Sequence, residues 1–396
     1  MRIYADNAAT TKISDSALRA MVECAQKYIG NPSSLHTSGQ LAAEELYRCR
    51  EKMAGLLGAN EAREIYFASG GSEADNQAIF STAYRFKSKG KTHIVSTAFE
   101  HHAVLHVLER LEKEGFEVTL VPVNEDGIVK VEDIEKAITD KTCLVTVMAA
   151  NNEIGTLQPI AQIGKLCREK GVLFHTDAVQ AVGHVKINVE EMNIDLLSLS
   201  AHKFNGPRGV GALYARRGVI LKNLIEGGAQ ERGKRAGTEN LPAIVGMTVA
   251  LEEAVAKLDA HAEKLITLRD RLIAGLSEIP HSVLNGDKVN RLPSNVNFCF
   301  EGIEGESLLL LLDDRGVEAS SGSACTSGSL DPSRVLLAIG RPKDVAHGSL
   351  RLTLAVENTE EEVDYIIKNT REVVEYLRSI SPVWEELEKG EREFIL

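Results

Sequence analysis

The 396-residue chain has no long apolar run, no excess of basic residues and few cysteines, and each shortage excludes a class of protein. Its longest unbroken apolar stretch is the leucine run Leu308–Leu312, far short of the ~20 residues a membrane span requires. The first residues turn polar by Asp6 and carry no apolar h-region. The sequence therefore predicts no secretory signal, no membrane partner and a cytoplasmic location. Lysine and arginine number 45 against 57 aspartates and glutamates, and no basic run interrupts the formal charge of −12. Nucleic acid is not an expected partner, because binding phosphates needs a basic stripe. The six cysteines are too dilute for a disulfide framework, and none stands in a C-x-x-C pair. Free thiols in a reducing compartment are the simplest reading. Internal repeats and low-complexity linkers are missing too. So are the G-x-x-x-x-G-K-[ST] of a Walker loop and the G-x-S-x-G elbow of a serine hydrolase. His102 and His106 share a helix face, yet no H-E-x-x-H and no third ligand at sensible spacing accompanies them, so no resident metal is expected.

What remains is an ordinary globular composition, 43% hydrophobic and 26% charged, long enough for two domains. Short apolar runs alternate with helical patterns from Glu64 to Arg216. The candidate strands are Glu64–Ala68, His93–Ala98, Val118–Val123, Thr142–Ala149, Val172–Thr176, Asp195–Ser200 and Val210–Ala215. They lack strict alternation, as strands covered on both faces do. Helix-length segments such as Ala103–Glu114 and Ile160–Lys170 separate several of them, which predicts an α/β domain with a mostly parallel seven-stranded sheet. After Pro242 the texture changes. One long helix is expected over Ala243–Leu276, then a strand at Ser294–Phe300, a helix at Gly305–Asp314, and strands at Val317–Ser320 and Ser349–Leu354. A capping box, Thr359-x-x-Glu362, opens the last clear helix. The expected division is a large α/β domain over 15–245 and a smaller α+β domain from 1–14 and 246–396.

In a parallel α/β sheet, ligands bind beyond the carboxyl ends of the strands. Ser69-Gly70-Gly71-Ser72-Glu73 follows the first strand and leads into a helix, a place where small residues and free N–H groups suit an anion. Glu100-His101-His102, Asn151-Asn152-Glu153, Asp177-Ala178-Val179-Gln180 and Ala201-His202-Lys203 follow later strands, with Ser200 closing one of them. Singly, each is an ordinary polar strand end facing water. Together they place a phosphate cup, an aspartate, a histidine and a lysine on one rim. That set fits pyridoxal phosphate, which needs a lysine for its Schiff base and an aspartate for its pyridinium nitrogen.

A second feature is the stretch Ser320 to Ser329, with one thiol, Cys325, among small and hydroxylic residues. Such a composition predicts a mobile, solvated loop and an available nucleophile, or else a flexible linker holding an incidental cysteine. Cys24, Cys49, Cys143, Cys167 and Cys299 fall within helix or strand patterns and read as buried. On these residues alone three readings stay open. One is a pyridoxal-phosphate desulfurase using Cys325; another is a transaminase or selenocysteine-type lyase leaving Cys325 idle. The third is a sulfur carrier or scaffold using only the thiol loop.

The sequence resembles the cysteine desulfurases of the NifS/IscS type, among the class-V aminotransferase-like enzymes. The resemblance runs nearly end to end. It rests on Asp6-Asn-Ala-Ala-Thr-Thr11, Gly30-Asn-Pro-Ser-Ser-Leu-His36, Glu100-His101, Ala150-Asn-Asn-Glu-Ile-Gly155 and His175-Thr-Asp-Ala-Val-Gln180. It continues through Ser200-Ala-His-Lys203, Gly237-Thr-Glu-Asn240 and Ser321-Gly-Ser-Ala-Cys325, the last similar to the branch serving iron–sulfur assembly. The resemblance implies the fold of type I pyridoxal-phosphate transferases and conversion of L-cysteine to L-alanine. It implies that Lys203 carries the cofactor and takes the substrate proton, that Asp177 pairs the pyridine nitrogen, and that Gln180 bonds the ring oxygen. His101 would stack on the ring and shuttle protons. Gly71, Ser72, Ser200 and His202 would hold the phosphate, joined by Thr238 from the other subunit of a homodimer. Asn31, Asn152 and Arg351 would seat the substrate carboxylate, and Asn152 would also touch the cofactor. Cys325 would take the sulfur as a persulfide for an acceptor such as an iron–sulfur cluster scaffold, and is the one place for a transient iron–sulfur contact.

Overall fold

A computed structural model describes residues 1–322 and 332–396 of the chain. A short strand β1 (Ile3–Tyr4) opens it, followed by helices α1 (Asp15–Lys27) and α2 (Thr37–Leu57). Then come β2 (Ile65–Ala68), α3 (Gly71–Lys87), β3 (His93–Thr97), α4 (His102–Lys113) and β4 (Glu117–Val121). The large sheet is completed by β5 (Thr142–Thr146), β6 (Leu173–Asp177), β7 (Leu196–Ser200) and β8 (Gly211–Ala215). Its order is β2-β8-β7-β6-β5-β3-β4, so all seven expected strands lie in one sheet. β4, β3, β5, β6 and β7 run parallel, and β8 is antiparallel to both its neighbours, β7 and the edge strand β2. Every residue of β3, β5, β7 and β8 is buried, which is why their sequences read as continuous apolar runs. The core on one face of this sheet joins Val145, Phe174 and Leu197 to α2 and to a later helix through Met53, Ile244 and Met247.

A second core forms in the C-terminal part. It is built on the antiparallel sheet of β9 (Ser282–Leu284), β10 (Asn295–Phe300) and β12 (Ser349–Thr353), in the order β12-β10-β9. β1 pairs in parallel with β11 (Val317–Glu318), so the chain's first residues join this core through Ile3 and Ala5. The expected helix over Ala243–Leu276 is two helices, Leu241–Ala256 and Leu258–Ser277, broken at Lys257 (φ −106°, ψ 6°). The cause is a change of partner. The first buries Ile244, Met247 and Leu251 in the large core, and the second buries Leu265, Leu268 and Leu272 in the small one. The final long helix, Glu360–Ser379, carries the expected capping box: Thr359 Oγ1 accepts from the Glu362 amide, and the Glu362 carboxylate from the Thr359 amide. No helix among the described residues is long and apolar enough to cross a membrane.

Candidate active site

Five strand ends of the large sheet converge on a cavity of about 220 Å³. β6 ends in Asp177, whose carboxylate accepts from the Val179 amide (2.9 Å) and is buried. β7 ends in Ser200, and the 3-10 turn Ala201–Lys203 swings His202 and Lys203 over the rim. His101 sits beyond β3 as the N-cap of α4, with Nδ1 accepting from the Ala103 amide (3.1 Å). That contact leaves the ring proton on Nε2. Gly71 and Ser72 begin α3 beside them. A side chain at Gly71 would bring its Cβ within 2.5 Å of Val179 Cγ2, so the helix start lies against this wall only because it is glycine.

The charges in the cavity are set by burial. It pushes the Asp177 carboxyl up, opposed by the nearby His101 and Lys203. It pushes His101 down, helped by Lys203 and opposed by Asp177, so the ring is a neutral imidazole. His202 is lowered to about 4 by burial, then by Lys203 and Arg208. Lys203 Nζ donates to the carbonyls of Ala8 and Ala9, and the Gln180 amide also donates to Ala8 (2.9 Å). The N-terminal segment thus closes one side of the cavity.

The three-stranded sheet contributes Arg351, from β12, 2% exposed. Its guanidinium donates to the Asn152 carbonyl (3.0 Å) and to Asp6 Oδ1 (2.8 Å). Its Nε is buried with no hydrogen-bond partner among the described residues. Arg351 and Asn152 both line the cavity.

Two expected residues lie elsewhere in this chain. Asn31 is exposed and caps a turn by accepting from the Ser33 amide (2.9 Å); Thr238 is exposed in the segment before Leu241. Cys325 lies outside the described residues. The five cysteines within them are all buried, and burial pushes Cys24, Cys49 and Cys299 up to about 11 and Cys143 and Cys167 up to about 12. None of these is an available nucleophile at neutral pH.

Sequence reasoning missed Asp75. It lines the cavity at 1% exposure, its Oδ1 has no hydrogen-bond partner among the described residues, and it stands 3.6 Å from His175 Nε2. Burial and the neighbouring Asp177 raise its carboxyl well above the ordinary range. One acidic residue in the first turns of a helix gives no signal of this, since most such residues face water. The carbonyls of Ala8 and Ala9 were invisible for a simpler reason, because backbone groups leave no mark on composition.

The donor set fits pyridoxal phosphate. The glycine start of α3 admits a phosphate to backbone N–H groups, Asp177 offers a buried anion to a ring cation, and Lys203 faces the same cavity. Comparison with known proteins agrees. The family model described as aminotransferase class-V matches residues 3–366. A cysteine desulfurase IscS of Clostridium botulinum is 54% identical over 395 residues, covering 99% of each chain. A solved structure described as a NifS-like protein is 39% identical, with a TM-score of 0.89, covering 95% of this chain and all of that one. Another, SspA in complex with cysteine, is 35% identical with a TM-score of 0.80, covering 90% of this chain and 100% of the other. With a pyridoxal-phosphate cavity, a type I transferase sheet and these relatives, the chain belongs to the class-V aminotransferase family, among its cysteine desulfurases.

Proposed function

We propose that this desulfurase transfers the sulfur of L-cysteine to Cys325, leaving L-alanine and a protein persulfide. The observation that carries the proposal is the convergence of Asp177, His101, Lys203 and Arg351 on one cavity. Pyridoxal phosphate, when bound there, supplies an electron sink for bonds changing at the substrate's α-carbon. Gly71, Ser72, Ser200 and His202 hold its phosphate, Gln180 its ring oxygen and Asp177 its ring nitrogen, with Asn152 alongside. Arg351 seats the substrate carboxylate by charge-assisted hydrogen bonds, together with Asn152. Lys203 takes the α-proton, and neutral His101 passes a proton at Nε2. The Cys325 thiolate then attacks the substrate sulfur. A sulfur–sulfur bond forms as the carbon–sulfur bond breaks; the proton given up by the Cys325 thiol is matched by one delivered to that carbon, and Lys203 returns the α-proton, completing alanine. One cysteine and one thiol give one alanine and one persulfide, so no outside oxidant is consumed.

The relative solved with cysteine supports the substrate, and the IscS relative supports an iron–sulfur scaffold or another thiolation protein as acceptor. We take the working form to be a cytoplasmic homodimer in which Thr238 of one copy reaches the phosphate of the other, with chain 15–245 as the cofactor-binding domain. Exposed apolar residues on the first two helices, Leu18, Val22, Leu41 and Tyr47, support a covering second copy. Alanine formation from L-cysteine tests the chemistry. Lys203→Ala and Cys325→Ala should each lower it by ~100-fold or more. Alanine formed at full rate by Cys325→Ala would instead favour a thiol-independent lyase.

A further inference from the structure

The buried guanidinium of Arg351 is held from two sides. Nη1 donates to the Asn152 carbonyl (3.0 Å) and Nη2 to Asp6 Oδ1 (2.8 Å). Nε is buried with no hydrogen-bond partner, and Asp6 is the one carboxylate paired with this cation, both among the described residues.

Asp6 stands there because the backbone around it is laced to the strand that carries Arg351. The Thr353 amide donates to the Ala5 carbonyl (2.7 Å). In return the Thr353 carbonyl accepts from the Asn7 amide and from Asn7 Nδ2 (3.4 and 2.8 Å), and Thr353 Oγ1 accepts from the Ala8 amide (2.8 Å). Residues on both sides of Asp6 thus bond Thr353, which is two places from Arg351 on β12 and so shares its face of the strand. The same stretch of chain continues into the cofactor end of the cavity. Lys203 and Gln180 donate to the Ala8 carbonyl, and Thr10 Oγ1 lies 3.2 Å from His202 Nδ1.

We propose that Asp6 is a positioning residue for the substrate carboxylate, holding the Arg351 guanidinium in the pose that receives it. The inference rests on the assignment of Arg351 as the carboxylate seat. Each Nη of a guanidinium carries two N–H groups, so Asn152 and Asp6 leave one on each nitrogen for a ligand. Arg351 can therefore hold Asp6 and the substrate together. Without Asp6, a single carbonyl tethers a side chain with much rotamer freedom to lose. The physical content is a selective loss. Removing Asp6 weakens ligands that carry a carboxylate and spares those that lack one.

The test titrates holoenzyme with L-alanine and with ethylamine, which is alanine without its carboxylate, and follows the visible absorbance of the bound cofactor. Asp6→Ala should weaken L-alanine about tenfold and ethylamine by less than ~twofold. Asp6→Asn, whose side-chain oxygen still accepts from Nη2, should weaken L-alanine only about threefold. In turnover, Asp6→Ala should raise KM for L-cysteine with kcat within ~twofold of the parent. With Arg351→Ala in place, adding Asp6→Ala should weaken L-alanine no further. Should Arg351→Ala not fold, the two Asp6 variants and the ligand pair carry the test. Unchanged L-alanine affinity in Asp6→Ala would overturn the proposal. So would tighter binding, which would make Asp6 a competitor for the guanidinium, or ethylamine affinity falling in step, the mark of general damage to the cavity. An equal loss in the Arg351→Ala background would overturn it too. Parent-like L-alanine binding by Arg351→Ala would refute the assignment of Arg351 itself, a distinguishable failure.

Discussion

Burial decides what the individual groups of this site can do. His175 lies fully buried between Thr146 Oγ1 (2.8 Å) and Ser198 Oγ (3.0 Å), and its pKa falls to about 3. In the unfolded chain it returns toward the ordinary 6.5, so between these values the unfolded state binds more protons. Its contribution to stability is complete above pH 6.5 and is lost as pH falls toward 3. Glu100, which accepts from Thr97 and the Met148 amide, is pushed up to about 8 by burial and acts in the opposite sense. Its contribution is complete below 4.5 and is lost as pH rises toward 8. Each slope is roughly 1.4 kcal/mol per pH unit while one group titrates. Thermal melts across pH should therefore show His175→Gln flattening the acid limb and Glu100→Gln the alkaline limb; curves merely displaced in parallel would contradict this. At this scale the sequence revealed what lay in distinctive strings. Asp177, His101 and Lys203, each within such a string, line one cavity together with Arg351, which no string marked. Asp75 and the Ala8 and Ala9 carbonyls did not show, because their importance comes from what folds against them.

Among the elements, the start of α3 is the most exacting. Its Gly71 touches Val179, from the loop after β6, with no room for a methyl group. Gly71→Ala should move the helix start away from the cavity and weaken pyridoxal-phosphate retention on dialysis by ~tenfold or more. Adding Val179→Ala, which removes the clashing methyl, should restore much of it. If the double variant loses cofactor as fast as the single one, the close contact is not what matters. Elements were legible wherever a pattern had one physical cause. The strands of the large sheet showed as apolar runs because helices cover both faces, and the capping box of Glu360–Ser379 showed because it is local. The break at Lys257 did not show. Helical periodicity continues across it, and only the change from one core to the other turns the axis.

For the whole molecule, the site lies where the two cores meet. Asp177, His101 and Lys203 come from the large sheet, Arg351 from the small one, and Asp6 from the segment after β1 that pairs with Arg351 (2.8 Å). The resulting division of labour extends to the cysteines. Burial raises five thiols to about 11 or 12, leaving Cys325 as the one cysteine the sequence places in a stretch of small and hydroxylic residues. The most direct test is to treat the holoenzyme briefly with L-cysteine, block thiols, and map persulfides by mass spectrometry. The account predicts persulfide on Cys325 alone, in step with the first equivalent of alanine. Persulfide on Cys24, Cys49, Cys143, Cys167 or Cys299 with Cys325 unmodified, or alanine released with no persulfide formed, would contradict it.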